Sequence, residues 1–296
     1  MNSFNKKKED TLKHRLITIA VLIPLVITTL FLLSPTKFGF VIIIICTLSA
    51  WEWGQFAGFQ SQTKRIGLAI IFAIILLVIQ FSFQDITNLI NEPIIFYSLL
   101  IGIIWWIIAI LLVITYPISA FWSNSVVALL LFCLLTIIPF YCGMMILRTI
   151  SYQNNTFFGA WLLLYIMLLV WGSDSGAYAF GRTIGRNKLA PKISPGKTWE
   201  GLFGGLIVSE IISLLFISIT PIYIIPNYLL STSIIVVVIS VFGDLAESMY
   251  KRQSGIKDSS NLIPGHGGIL DRIDSLTAAV PVFAGLNLLI FKWFGF

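Results

Sequence analysis

The sequence predicts an all-α fold, a polytopic integral membrane protein of about nine transmembrane helices. Three observations carry this. Of the 296 residues, 57% are hydrophobic and only 11% are charged, where a soluble domain carries roughly 25% charged residues. Apolar runs of about 20 residues, each long enough to cross a bilayer core, repeat along nearly the whole chain. Lys and Arg gather on alternate connecting segments, the bias that orients helical membrane proteins.

The spans read in order as 16–33, 38–59, 66–83, 94–115, 125–147, 158–180, 199–220, 229–248 and 271–294. The first follows a basic flank of Lys6, Lys7, Lys8, Lys13 and Arg15. Its apolar run, Leu16 to Leu33, is long and no small-residue cleavage site follows it. It therefore reads as a membrane helix and not as a cleavable signal. The seventh and eighth spans are joined by a short turn, Pro221 to Tyr228. With the N-terminus inside, 16 of the 19 Lys and Arg residues fall on cytoplasmic segments, leaving Lys37, Arg148 and Lys292 outside. The two longest polar loops, 181–198 and 249–270, then both face the cytoplasm. The net charge of +6 is mostly this topology signal and does not point to nucleic acid; it also suits anionic headgroups or nucleotides. Cys46, Cys133 and Cys142 lie inside apolar runs without metal-ligand spacing, so they read as small buried side chains.

The acids are few enough to sort. Glu9, Asp10, Asp85 and Glu92 lie in water-exposed flanks. Asp174, Glu200, Glu210, Asp244, Glu247, Asp258, Asp271 and Asp274 lie in or beside the last spans, where carboxylates persist when paired, hydrated or metal-bound. Asp244 and Glu247 are three apart near the end of the eighth span, and Asp271 and Asp274 three apart at the start of the ninth. Residues at i and i+3 share a helix face, so two antiparallel helices would point four carboxylates into one cavity. A hard divalent cation such as Mg²⁺ suits such oxygen ligands together with substrate phosphates; the plainer alternative is interhelical ion pairing with Lys251, Arg252 and Arg272. Glu52, between Trp51 and Trp53, reads as a paired interior polar group.

Asp174 sits in Trp171-Gly172-Ser173-Asp174-Ser175-Gly176-Ala177-Tyr178, whose small residues allow close helix packing; the carboxylate is either a capped polar bend or a wall of the same cavity. Ser194-Pro195-Gly196-Lys197-Thr198 resembles the end of a P-loop. The first glycine of that motif is missing and no strand is expected before it, so a Walker site is rejected. A Gly-containing turn with a Lys that leads into a helix at Trp199 still suits a phosphate. His266 stands between Gly265 and Gly267-Gly268, where the backbone is bent or closely approached.

The run Ser248-x-x-Lys251-Arg252-x4-Lys257-Asp258-x5-Pro264-x-His266-Gly267-Gly268-x-x-Asp271-Arg272-x-Asp274 resembles the signature of the phosphatidate cytidylyltransferases, or CDP-diacylglycerol synthases. The resemblance extends to Ser194-Pro-Gly-Lys197-Thr198-x-Glu200-Gly201 and to Asp174-Ser-Gly-Ala-Tyr178, and is weak over the first 150 residues. It implies transfer of CMP from CTP to phosphatidate, dependence on Mg²⁺, a homodimer, and an active site that opens to the cytoplasm from the bacterial cytoplasmic (inner) membrane. A second, monovalent metal beside Mg²⁺ is compatible with the same acids. Residues 1–150 then form a scaffold for lipid contact and dimer packing, and 151–296 the catalytic region with its two cytoplasmic loops. On that reading Asp244, Asp271 and Glu247 hold metal, and Lys251, Arg252, Lys257, Arg272 and His266 act on the phosphates. Ser194, Lys197, Thr198, Glu200, Asp174, Ser248, Gly267 and Gly268 line the substrates, while Asp258 and Asp274 orient their neighbours. The rival readings are an ion-coupled transporter, which would show broken helices in symmetric halves, another lipid enzyme such as a CDP-alcohol phosphotransferase or polyprenol kinase, and a non-catalytic scaffold.

Overall fold

In a computed structural model of the chain, residues 18, 20–222, 225–263, 265 and 267–294 are described. The chain forms a helical bundle with one small hairpin. Helices α2 (Pro35–Phe56), α3 (Gln62–Ser82), α4 (Pro93–Ile114), α5 (Val126–Thr149), α6 (Phe158–Thr183), α7 (Trp199–Ile219) and α8 (Pro226–Gln253) are each long and apolar enough to cross a membrane. α1 (Ala20–Leu32) is a shorter apolar helix, and α9 (Leu270–Phe294) closes the bundle. Prolines at or next to the first helical position start α2, α4 and α8, where a missing N–H is no loss.

Sequential helices pair as α2–α3, α6–α7 and α8–α9. The halves interlock: α5 packs on α9, α2 and α4, and α4 also reaches α8 and α9. The large exposed apolar side chains cluster on α1, α3, α4 and α7. That is the distribution expected where lipid, and not water, covers a face. Cys46, Cys133 and Cys142 are all buried and free.

Three features depart from the sequence reading. Where no strand was expected, β1 (Lys188–Ala190) and β2 (Ser194–Thr198) form an antiparallel hairpin, with Lys188 opposite Thr198 and Ala190 opposite Ser194. α8 runs to Gln253, so Lys251 and Arg252 stand on its last turn and not in a loop, where cations meet the negative end of the helix dipole. Arg148 is only 2% exposed. Its guanidinium donates to the carbonyls of Leu33 (2.9 Å) and Thr156 (3.1 Å), pinning the α1–α2 and α5–α6 connections to the end of α5.

Two contacts fix α8. On one face, Tyr250 sits among the rings of Trp53 and Trp122, both at 5.3 Å, and of Phe56 and Phe132, both at 6.1 Å. On another, Gly243 lets α9 approach directly. A Cβ at that position would stand 2.8 Å from the Asp274 carbonyl oxygen and 2.9 Å from the Ala278 Cβ. Gly243→Ala is expected to lower the thermal unfolding temperature in detergent, since overpacking costs about 1–3 kcal/mol. Gly67→Ala is the control, because nothing lies within 4 Å of a Cβ there. Equal melting of the two variants would mean that the α8–α9 contact is loose.

Candidate active site

The site forms where the hairpin, the end of α8 and the start of α9 meet. The hairpin is seated first. Thr198 caps α7, its hydroxyl accepting from Gly201 N at 3.1 Å. Glu200 takes the backbone N–H of Asn187 at 3.1 Å and its side-chain amide at 2.8 Å, closing the hairpin base onto the helix. Arg252 Nε donates to the Ile193 carbonyl at 3.1 Å, tying the tip of the hairpin to α8. Thr198 and Glu200, expected to line the substrates, thus hold the hairpin in place. Ser194 opens β2, half-buried opposite Ala190.

This seating carries Lys197 over α8. Its ammonium stands 2.7 Å from Asp244 Oδ2 and 3.4 Å from the Val241 carbonyl. Ser248, one turn beyond Asp244, donates to Asp244 Oδ1 at 3.2 Å. Lys251 bridges the two helices, at 2.7 Å from Glu247 Oε2 and 2.8 Å from Asp271 Oδ1. The four acids therefore do converge, and the ion pairing weighed from the sequence is present as well, although through Lys197 and Lys251. Among the described residues no group of three or more His, Cys, Asp or Glu side chains stands in metal-holding geometry.

Asp271 is the most constrained of the four. Besides Lys251, its carboxylate accepts from Ser259 N (2.9 and 3.2 Å to its two oxygens) and from Gly268 N (2.8 Å). Asp274 Oδ1 accepts from Ser275 N at 2.8 Å and lies within electrostatic reach of Asp244 and Glu247. Glu247 is buried, and its Oε1 has no hydrogen-bond partner. Asp174, on α6, feels the charges of Lys197, Asp244 and Arg272, so it belongs to the same electrostatic centre. Lys257, Asp258 and Arg272 are exposed at its edge. Gly267 adopts a left-handed φ of 85°, a backbone that glycine takes without strain. His266 lies outside the described residues.

One residue of the site was not assigned from the sequence. Glu52, on α2 and fully buried, reaches the loop that leads into α9. The available signal was an acid between two tryptophans, the sole carboxylate inside a span of the first half; nothing in the sequence named its partners.

A profile described as the cytidylyltransferase family matches residues 13–290. The chain is 44% identical over 282 residues to a phosphatidate cytidylyltransferase of Haemophilus influenzae, covering 92% of this chain and 97% of the relative. It is 41% identical over 276 residues to one from Pseudomonas aeruginosa, covering 93% and 96%. A third, from Bacillus subtilis, is 39% identical over 147 residues, about half of each chain. The similarity thus extends through the apolar first half, where no motif was legible. With acids and lysines converging beneath the hairpin, and with the family matched along nearly its full length, the chain belongs to the cytidylyltransferase family.

Proposed function

We propose that this membrane protein transfers CMP from CTP to phosphatidate, giving CDP-diacylglycerol and pyrophosphate. The observation that carries the reading is the convergence of Lys197, from the hairpin, and Lys251, from α8, on the acids of α8 and α9, within a chain similar to phosphatidate cytidylyltransferases along its length. A transporter gains no support from that similarity.

The phosphate monoester of phosphatidate is largely ionised near neutral pH, with a second pKa of about 6 by analogy with phosphorylated side chains. It needs no strong general base to attack the α-phosphorus of CTP, where the bond to the pyrophosphate oxygen breaks. The demand on the protein is to position two polyanions and stabilise the charge that develops. Lys197 and Lys251 hold the acids in check until substrate phosphates offer them partners. Arg252, with Nε committed to Ile193, keeps its two terminal nitrogens for a phosphate, and Lys257 and Arg272 extend the positive rim. The diacylglycerol tail stays in lipid, which covers the apolar faces of α3, α4 and α7; a second copy in a homodimer is the other occupant of such a face that the family resemblance implies.

The donor types suit Mg²⁺, although with Lys197 and Lys251 paired to them no three of these acids stand in metal-holding geometry. Four acids, Asp244, Glu247, Asp271 and Asp274, face two lysines, and the buried Glu247 Oε1 lacks a partner. Such oxygens suit a hard divalent cation, and Asp244, Asp271 and Glu247 would hold it. When bound it would neutralise charge on the triphosphate.

Incubating the purified protein with labelled CTP and phosphatidate should yield lipid-linked CMP; flux without chemistry would point to a transporter. Chelation should abolish turnover, and added Mg²⁺ restore it. Lys197→Ala and Arg252→Ala should each slow turnover about 10- to 100-fold, the effect of losing a hydrogen bond to a charged group of about 1.5–3 kcal/mol. Unchanged rates for both would separate the hairpin from the nucleotide site. Asp244→Asn and Asp271→Asn should nearly abolish initial rates across a Mg²⁺ series, with Asp274→Asn milder. Near-normal turnover of folded Asp271→Asn would remove α9 from the metal site.

The charge bias supports a site that faces the cytoplasm from a bacterial inner membrane. Cysteines introduced at the exposed positions Gln84 and Asn261 should label from opposite sides, Gln84 from outside. The native cysteines are buried and should stay silent. Labelling of both from one side would overturn the orientation.

A further inference from the structure

Glu52 stands in the next-to-last turn of α2, more than 200 residues from the loop it touches, and it is 0% exposed. Its carboxylate accepts four hydrogen bonds from that loop. The hydroxyls of Ser259 (3.1 Å) and Ser260 donate to it, as do the backbone N–H groups of Ile269 (2.9 Å) and Leu270 (2.6 Å). The last two are donors at the start of α9, so a side chain from another helix caps it. A carboxylate there is favoured by the helix dipole as well. No ion pair to Glu52 occurs among the described residues; Arg65, stacked 3.7 Å over Trp51 and bonded to its carbonyl, supplies positive charge nearby. Burying a carboxylate is costly unless it is hydrogen-bonded, and here both oxygens are.

The same loop grips Asp271. Ser259 gives its hydroxyl to Glu52 and its N–H to Asp271. Gly268 gives its N–H to Asp271 and packs so closely on Glu52 that a Cβ would stand 2.5 Å from Oε1 and 2.0 Å from Ser259 Oγ. Gln55, three residues after Glu52, donates to the Ser259 carbonyl at 2.5 Å. α2 thus holds both ends of the segment 259–270, and that segment fixes the carboxylate on which Lys251 rests.

We infer that Glu52 is a positioning residue for CMP transfer, clamping the Ser259–Leu270 loop so that Asp271 and Lys251 keep their places. The inference rests on the reading of the site as a cytidylyltransferase centre. Glu52 touches no reacting atom; it acts through the loop.

Glu52→Gln tests it in the full-length protein in nanodiscs. The amide keeps the shape but puts an NH₂ where two donors expect an acceptor. The expected result is a fall in kcat on the order of 10- to 100-fold, with KM for CTP within about twofold because the positive rim is untouched. Hydrogen exchange at the Ser259, Gly268, Ile269 and Leu270 amides should quicken, while the rest of α2 and α8 stays protected. Ser260→Ala, which removes one of the four bonds, should move both readouts the same way by less, and it carries the test if Glu52→Gln does not fold. Normal kcat in folded Glu52→Gln, or in Ser260→Ala when it alone folds, would overturn the inference. So would unchanged exchange in the loop, or equal loosening of all helices, which marks a merely structural role. Wild-type protein that makes no CDP-diacylglycerol would refute the activity instead, and the exchange comparison would still decide whether the clamp exists.

Discussion

Four carboxylates on two adjoining helices cannot share one edge of a membrane protein without counter-charge. In this chain two lysines supply it, from different elements. Lys251 comes from α8 itself and spans Glu247 and Asp271, while Lys197 arrives from the hairpin to meet Asp244. The rest of the local structure follows from delivering those two ammonium groups. The hairpin needs Thr198 and Glu200 to seat it on α7 and Arg252 to hold its tip. The helices need Gly243 to let α9 come directly against α8. Paired in this way, Asp244, Glu247 and Asp271 have a cation within 3 Å where burial would otherwise leave their charge uncompensated.

The two halves of the chain divide this work unequally in sequence but not in space. Nearly every charged group of the site belongs to the second half. Yet the loop that leads to Asp271 is held by Glu52 and Gln55 of α2, and the aromatic residues around α8 include Trp53, Phe56, Trp122 and Phe132. A first half without a readable motif is thus not passive scaffold, in keeping with a family match that starts at residue 13.

The spans were legible because hydropathy over 20 residues is a strong local signal, and α3 to α6 lie close to their expected bounds. The signature acids were legible because charge is rare here. The hairpin was not: its strands are three and five residues long, one contains both Pro195 and Gly196, and neither alternates cleanly. The last turns of α8 were hidden because hydropathy falls at Ser248 while the hydrogen-bonded helix continues to Gln253. The charge tally placed Arg148 with outer flank residues, since a buried guanidinium satisfied by carbonyls looks the same in sequence as an exposed one. The role of Glu52 depends on a contact that closes only when helices far apart in sequence pack together.

Tyr250 has one more consequence. A membrane helix with similar faces can rotate about its long axis with little resistance, because every azimuth meets the same hydrocarbon. A flat ring wedged among four others removes that freedom. Successive residues on a helix differ by about 100° in azimuth, so fixing Tyr250 also fixes the bearing of Lys251 one step on and of Glu247 three steps back. The oily side of α8 acts as the keyway of a shaft, and the angular aim of its charged side is set by aromatic rings from the first half of the chain.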